Sequence, residues 1–527
     1  MAGVREVDSR AHYRPYTVFV ILFMAMGSVT FGFSAANIGI TLGQPSYIKY
    51  MGLATAKNAS ALIGGMNGAF YGGGFFGSCF HGWVANKYGR KWSIAIGCMF
   101  VLVSGGILTG SANVAMFIAF RFFNGWGCFQ LLAGVPLWIT EVVPPKARGM
   151  LADIHAVGLN TGYTVSAYAG VGFFYTHSAS AWRPPIALQM VPPLIVLSGI
   201  YWIPESPRWL LTRGRDQEAW TIVRRLHVSL KDKDDSFAQA EFRQMKAQIE
   251  FESTLESGYL HIWKRPSYRK RAFMTVYLTF SMFTTGILVV NTYGATIYKS
   301  LGYDDAIGLQ FQAGYVLCCL VFNIIAMTFV DRVPRNKLIS FGFFCVMTCL
   351  IVETALQKYY IGTTDKAGLI GAVVVIFAFA TSFSLFMDGP CYFYIAEIWP
   401  THLRAYGYTL GIGALAVTNI IWLEAAPTAF ANIGWRYYIF FIIFCAIACV
   451  TSFLVFPDTL HKPLEEIAAM FGDDDLVMLY QRDLVAAGSD SGTSEKHNEN
   501  EPENVDLGAI PKPPTQIHAT SKHVEEV

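Results

Sequence analysis

Charge is scarce inside the apolar stretches of this chain, so the ionisable residues found there are where chemistry would be done. They are His81, Arg121, Asp153, His155, Glu353, Asp388 and Glu424. A charge held in hydrocarbon is costly, which makes each a functional candidate, with packing or local pairing as the competing role. Asp153, His155 and Glu353 fall near segment ends, where snorkelling or a neighbour satisfies them. Asp388 stands apart because Asp388-Gly389-Pro390 would break a helix and aim a carboxylate into the break. Such a carboxyl can take a proton on one face and release it on the other. Glu424, two residues after Trp422, is the second candidate for that work. No nucleophile–base set, metal-ligand spacing or nucleotide loop occurs, so an enzyme is not expected, nor a metal or cofactor.

The elements that must position these groups follow from composition. Apolar residues make up 53% of the 527 and charged ones only 14%. A soluble domain carries nearer a quarter charged residues, so the class is an all-α integral membrane protein. Twelve apolar stretches are long enough to cross a bilayer, near 17–40, 61–84, 93–110, 114–138, 151–175, 186–203, 272–298, 306–330, 338–357, 367–395, 405–430 and 436–456. Their dense glycines, as in Gly72-Gly73-Gly74, read as close helix packing. All ten cysteines lie inside these stretches and suggest neither a disulfide frame nor a metal site. A net charge of +2 argues against nucleic acid as a partner.

Thirty-one Lys and Arg fall in the segments that lie inside if both termini are cytoplasmic, against seven in the outside loops. Setting aside the long central loop and the tail leaves twelve against seven, the same orientation. Asn58-Ala59-Ser60 is then an outward glycosylation sequon. The expected domains are a cytoplasmic N-terminus (1–16), a six-helix half (17–203), a cytoplasmic loop with amphipathic helices (204–271), a second six-helix half (272–456) and a tail (457–527) disordered after about 473. In the loop, Ala219, Ile222, Val223 and Leu226, and then Phe242, Met245 and Ile249, keep helical spacing, and Asp216 is placed to cap the first helix.

The charged loops repeat. Asn86-Lys87-Tyr88-Gly89-Arg90-Lys91 returns as Asp331-Arg332-Val333-Pro334-Arg335-Asn336, the stretch from Glu141 to Arg148 returns as Glu397 to Arg404, and Pro204-Glu205-Ser206 returns as Pro457-Asp458-Thr459. Three unlike motifs in one order at nearly one spacing indicate a duplicated chain. Each puts a carboxylate near a guanidinium at a cytoplasmic helix end: Glu141 with Arg148, Glu205 with Arg208, Glu397 with Arg404, Asp331 with Arg335. Cross-pairing between the repeats would shut the two halves on the inside face. Merely solvated charges are the alternative, since isolated exposed pairs contribute only ~0–1 kcal/mol.

Together with Arg121-x-x-x-Gly125-x-Gly127, Pro204-Glu205-Ser206-Pro207-Arg208-Trp209 and the ending Phe456-Pro457-Asp458-Thr459, these motifs resemble the sugar porter family of the major facilitator superfamily, in its fungal branch. The likeness runs over about 17–467. It implies a twelve-helix fold in two pseudo-symmetric halves and a secondary transporter moving a sugar or polyol by alternating access. It also implies a cytoplasmic gate that includes Asn86, Gly89, Arg90 and Arg121. Tyr293, Tyr392 and Asn419 match substrate-facing positions, with Asn291, Trp422 and His155 available beside them. Ser34 stands where many proton-coupled relatives carry Asp, and Thr279, Met282 and Phe283 stand where glutamines are usual. Uniport and proton symport therefore both stay open. So do a non-sugar metabolite as cargo and a non-transporting sensor on the same fold. The expected partners are the small-molecule substrate, protons and the lipid bilayer, for a monomer in the plasma membrane.

Overall fold

The apolar stretches become twelve helical passages. The computed structural model describes residues 15–473 apart from 144–153, 177, 228–234, 253–254, 256–257, 362, 364, 461 and 463. The first six spans are Pro15–Leu42, Ala59–Tyr88, Arg90–Thr109, Val114–Val142, Ile154–Phe174 and the pair Arg183–Leu188 with Val191–Gly199. The second six are Pro266–Phe283 continuing as Ile287–Ser300, then Asp305–Ala326, Arg335–Tyr360, Lys366–Phe386 continuing as Asp388–Glu397, Thr401–Ile433 and Tyr437–Leu454. Among the described residues, seven stretches are long and apolar enough to cross a membrane by length and composition alone, and His402–Leu454 holds two spans at once. The second, fourth, fifth and sixth spans fall short because Gly, Asn, His or Arg interrupt the run, or because prolines split it.

Two spans in the second half are broken where a ligand cavity needs them to be. The seventh turns at Gly286, whose φ of +82° is the left-handed region that favours glycine. The tenth breaks at Met387, and the carboxylate of Asp388 then opens a new helix with Pro390 in its first turn. The expected break is present, one residue ahead of the Asp-Gly-Pro run.

Within the first half the second and fourth spans touch backbone to backbone. A Cβ at Gly73 would lie 1.8 Å from the Phe122 carbonyl, and one at Gly125 would lie 1.8 Å from that of Phe70. The glycine-rich patches therefore pack helices. The halves meet along the second and eleventh spans, the fifth and eighth, and the first and seventh.

The central loop is folded. Helices Asp216–His227 and Ser236–Glu252 bury Ala219, Val223, Met245 and Ile249 against Trp209 and Leu210. Asp216 is the first helical residue and pairs with Lys246 at 2.6 Å, rather than capping its own helix. The Thr17 hydroxyl donates to the Leu226 carbonyl at 2.9 Å, which ties this segment to the first span. Asn58 is exposed just ahead of the second span.

Candidate functional site

A cavity of about 80 Å³ lies between the halves, with Phe31, Tyr163, Phe283 and Tyr392 among its rings and Asn291 and Asp388 among its polar groups. Asp388 reaches it because the tenth span restarts there. Its Oδ2 accepts from Asn323 Nδ2 at 2.7 Å and from Asn160 Nδ2 at 3.2 Å. Asn160 belongs to the fifth span and Asn323 to the eighth, so one carboxylate oxygen holds an amide from each half. Hydrogen bonds to a charged acceptor contribute about 1.5–3 kcal/mol each, so the ionised carboxylate is a substantial tie.

Of the six residues expected at the substrate, Asn291 and Tyr392 line this cavity. Asn291 is fixed by Gln312, which donates to its side-chain oxygen at 2.9 Å and its carbonyl at 2.7 Å. The other four are engaged elsewhere. Tyr293 donates to the Leu423 carbonyl at 2.9 Å and accepts from Asn67 at 2.9 Å. Trp422 donates to Thr284 at the break of the seventh span, 2.9 Å away. Asn419 bonds the Leu415 carbonyl of its own helix, and His155 shares a 2.6 Å hydrogen bond with Ser28. Glu424 is exposed, against Gly64 and Gly68 of the second span, rather than buried in the cavity.

Those engagements reveal an element that motif reading missed, a closed outer interface. A Cβ at Gly39 of the first span would lie 2.6 Å from the Thr292 carbonyl of the seventh. The Asn67–Tyr293–Leu423 chain and a 2.6 Å bond from Gln310 to Tyr175 join the halves on the same side. The signal in the sequence was a small residue, Gly39, facing a span that turns at Gly286, six residues before Thr292.

The cytoplasmic charges form two networks of one design, one in each half. Arg90 holds Glu141 in a fork, Nε to Oε2 at 2.9 Å and Nη2 to Oε1 at 3.0 Å, and the Ser206 hydroxyl donates to the same carboxylate. Glu205 Oε1 accepts the N–H groups of Arg90 and Lys91 at 3.1 Å and of Ser206 at 2.9 Å, so it caps the third span. A side chain at residue 89 would meet that carboxylate at 2.3 Å, and φ there is +107°, so both demands select Gly89. Burial pushes the Glu205 carboxyl up from its ordinary value, opposed by those N–H groups and by the Arg90 charge. In the second half Arg335 Nη2 meets Glu397 at 3.4 Å, Thr459 donates to Glu397 at 2.6 Å, and Asp458 accepts the Arg335 N–H at 3.0 Å.

Of the pairs expected within the motifs, that of Glu205 with Arg208 is replaced. Glu205 bonds the head of the third span instead of Arg208, which is half-buried on the next helix. Arg148 and the side chain of Asp331 lie outside the described residues, and Arg404 lies in the first turn of the eleventh span. Asn86 reaches across the halves, its Nδ2 donating to Tyr406 at 3.2 Å. Arg121, expected with this gate, lies about 30 Å from Glu141 along the fourth span. Arg90→Ala leaves Glu141 with its fork gone, in a pair only 12% and 11% exposed. Breaking a buried pair costs on the order of 3 kcal/mol, so the detergent-purified variant is expected to melt earlier and transport more slowly. Wild-type melting would reduce these charges to orienting the helices.

Comparison with known proteins gives the same answer over the same residues. The family model described as sugar (and other) transporter matches 20–471. The MFS-type transporter criB of Aspergillus cristatus is 29% identical over 445 residues, covering 84% of this chain and 90% of that one. A high-affinity glucose transporter of Kluyveromyces lactis is 27% identical, covering 87% and 86%. A probable quinate permease of Aspergillus fumigatus is 25% identical, covering 86% and 88%. The proton:xylose symporter XylE bound to 6-bromo-6-deoxy-D-glucose superposes with a TM-score of 0.74 at 21% identity, over 87% of this chain and all of that one, and shares the fold.

Proposed function

The chain belongs to the sugar (and other) transporter family and is a multi-pass membrane transporter, and from that premise we propose that Asp388 couples proton movement to the rocking of its two halves. The observation that carries the proposal is the Asp388 carboxylate accepting an amide from each half. Ionised, it binds both amides and favours the arrangement with the fifth, eighth and tenth spans drawn together. Protonated, it is a weaker acceptor, the tie loosens, and the halves can part on the inner side. Ser34 cannot carry a proton, so the burden falls on the one carboxylate that lines the cavity among the described residues.

The cargo supported best is a cyclic polyhydroxylated compound. Rings such as Phe31, Phe283 and Tyr392 offer faces to the C–H surface of a sugar or cyclitol, and Asn291 and Asp388 offer partners to its hydroxyls. The glucose transporter and quinate permease relatives supply two concrete members of that class. Uptake of labelled glucose, xylose and quinate into transporter-null cells, with and without a protonophore, tests both halves of the proposal. Saturable uptake of one of them that collapses with the protonophore is expected. Uptake indifferent to protonophore and external pH would make the protein a uniporter.

A further inference from the structure

Arg121 is a buried cation whose charge nothing described in its surroundings balances. It sits in the fourth span and is 2% exposed. Its Nη1 donates to the Ser34 carbonyl of the first span at 3.1 Å. The Phe70 ring of the second span covers the guanidinium face, with Cζ 4.3 Å from the ring centre. Stacking of that kind uses the flat face and leaves the in-plane N–H groups to other partners. Nε and Nη2, the two donors of the carboxylate-binding fork, make no hydrogen bond with any described residue. The titratable groups that face the guanidinium are Cys128, Tyr71 and Tyr47. A thiol and two phenols carry no negative charge near neutral pH. An arginine cannot shed its proton to escape, and a buried charge without a counterion is among the costliest features of a folded chain.

We propose that Arg121 is a binding site for a monovalent anion, taken through the Nε and Nη2 fork, either as a free small anion or as the carboxylate of a transported acid. The fork is planar and bidentate, which suits a carboxylate, and its charge and two converging donors suit a halide. The site lies where the first, second and fourth spans meet, so the anion braces the half of the molecule that Ser34 and Phe70 belong to.

The test is thermal melting of the detergent-purified full chain, a readout that does not depend on uptake and so stands apart from the transport proposal. Sodium sulfate at constant ionic strength is replaced in steps by sodium chloride, sodium acetate or sodium quinate. A saturating rise in Tm is expected in the wild type. Chloride and acetate raising it alike identify a free small anion, whereas quinate alone identifies the carboxylate of a cargo. Arg121→Gln is expected to lose the rise. Ser34→Asp keeps the arginine and sets a fixed carboxylate beside it, so it too is expected to lose the rise, and it serves if the first variant fails to fold. No saturating rise with any of the three anions, or a rise that survives in either variant, overturns the proposal.

Discussion

Asp388→Asn is expected to abolish uphill accumulation while sparing downhill exchange of the same substrate. The substitution keeps the shape and leaves a carbonyl oxygen that can still accept from Asn160 and Asn323, which now bond Oδ2 at 3.2 and 2.7 Å. What it removes is the choice between an ionised and a neutral group. The tie between the halves then has one strength at every pH, so rocking continues but no longer answers to the proton gradient. Cells expressing the variant should fill only to the external concentration, and preloaded cells should still exchange label. A variant that still concentrates its substrate would remove Asp388 from coupling. Asn323→Ala separates the tie from the proton: accumulation should persist, weakened, because the carboxyl remains while one of its two partners is gone.

The spans were legible because their signals are local. Length of an apolar run and Asp388-Gly389-Pro390 inside one each act within a few residues, and the tenth span breaks one residue ahead of that run, while the turn of the seventh span at Gly286 was not read. Which groups meet was less legible, because it depends on how each helix is turned about its axis. Tyr293 lies on the right helix, yet its hydroxyl is spent on Asn67 and the Leu423 carbonyl at the outer interface. The charged motifs show the same limit. Glu205 and Arg208 are three apart, which suggests a local pair, but the free N–H groups at the head of the third span are a better partner for Glu205. That leaves the Arg90 side chain to reach Glu141 on the neighbouring helix. Spacing along one helix could not reveal an exchange between helix ends.

Gly39→Leu is expected to abolish transport while the protein still reaches the membrane. Even a Cβ at this position would stand 2.6 Å from the Thr292 carbonyl and 3.3 Å from its Cα, and backbone cannot step aside as a flexible side chain could. The first and seventh spans belong to different halves, so the clash exists only while the outer side is closed. Overpacking costs about 1–3 kcal/mol, and laid on one state of a two-state carrier it shifts the balance by roughly 5–150-fold toward the outward-open form. A carrier that cannot close outside cannot release inside, so uptake and exchange should fail together, unlike the Asp388 variant, which loses only accumulation. The shift itself is visible with Asn291→Cys, a position that lines the cavity. Labelling by a membrane-impermeant thiol reagent added outside should be greater for the double variant than for Asn291→Cys alone, with Gly39→Leu alone giving the background from the native cysteines. Normal uptake by Gly39→Leu would mean that the outer contact of these two spans is not a step in the transport cycle.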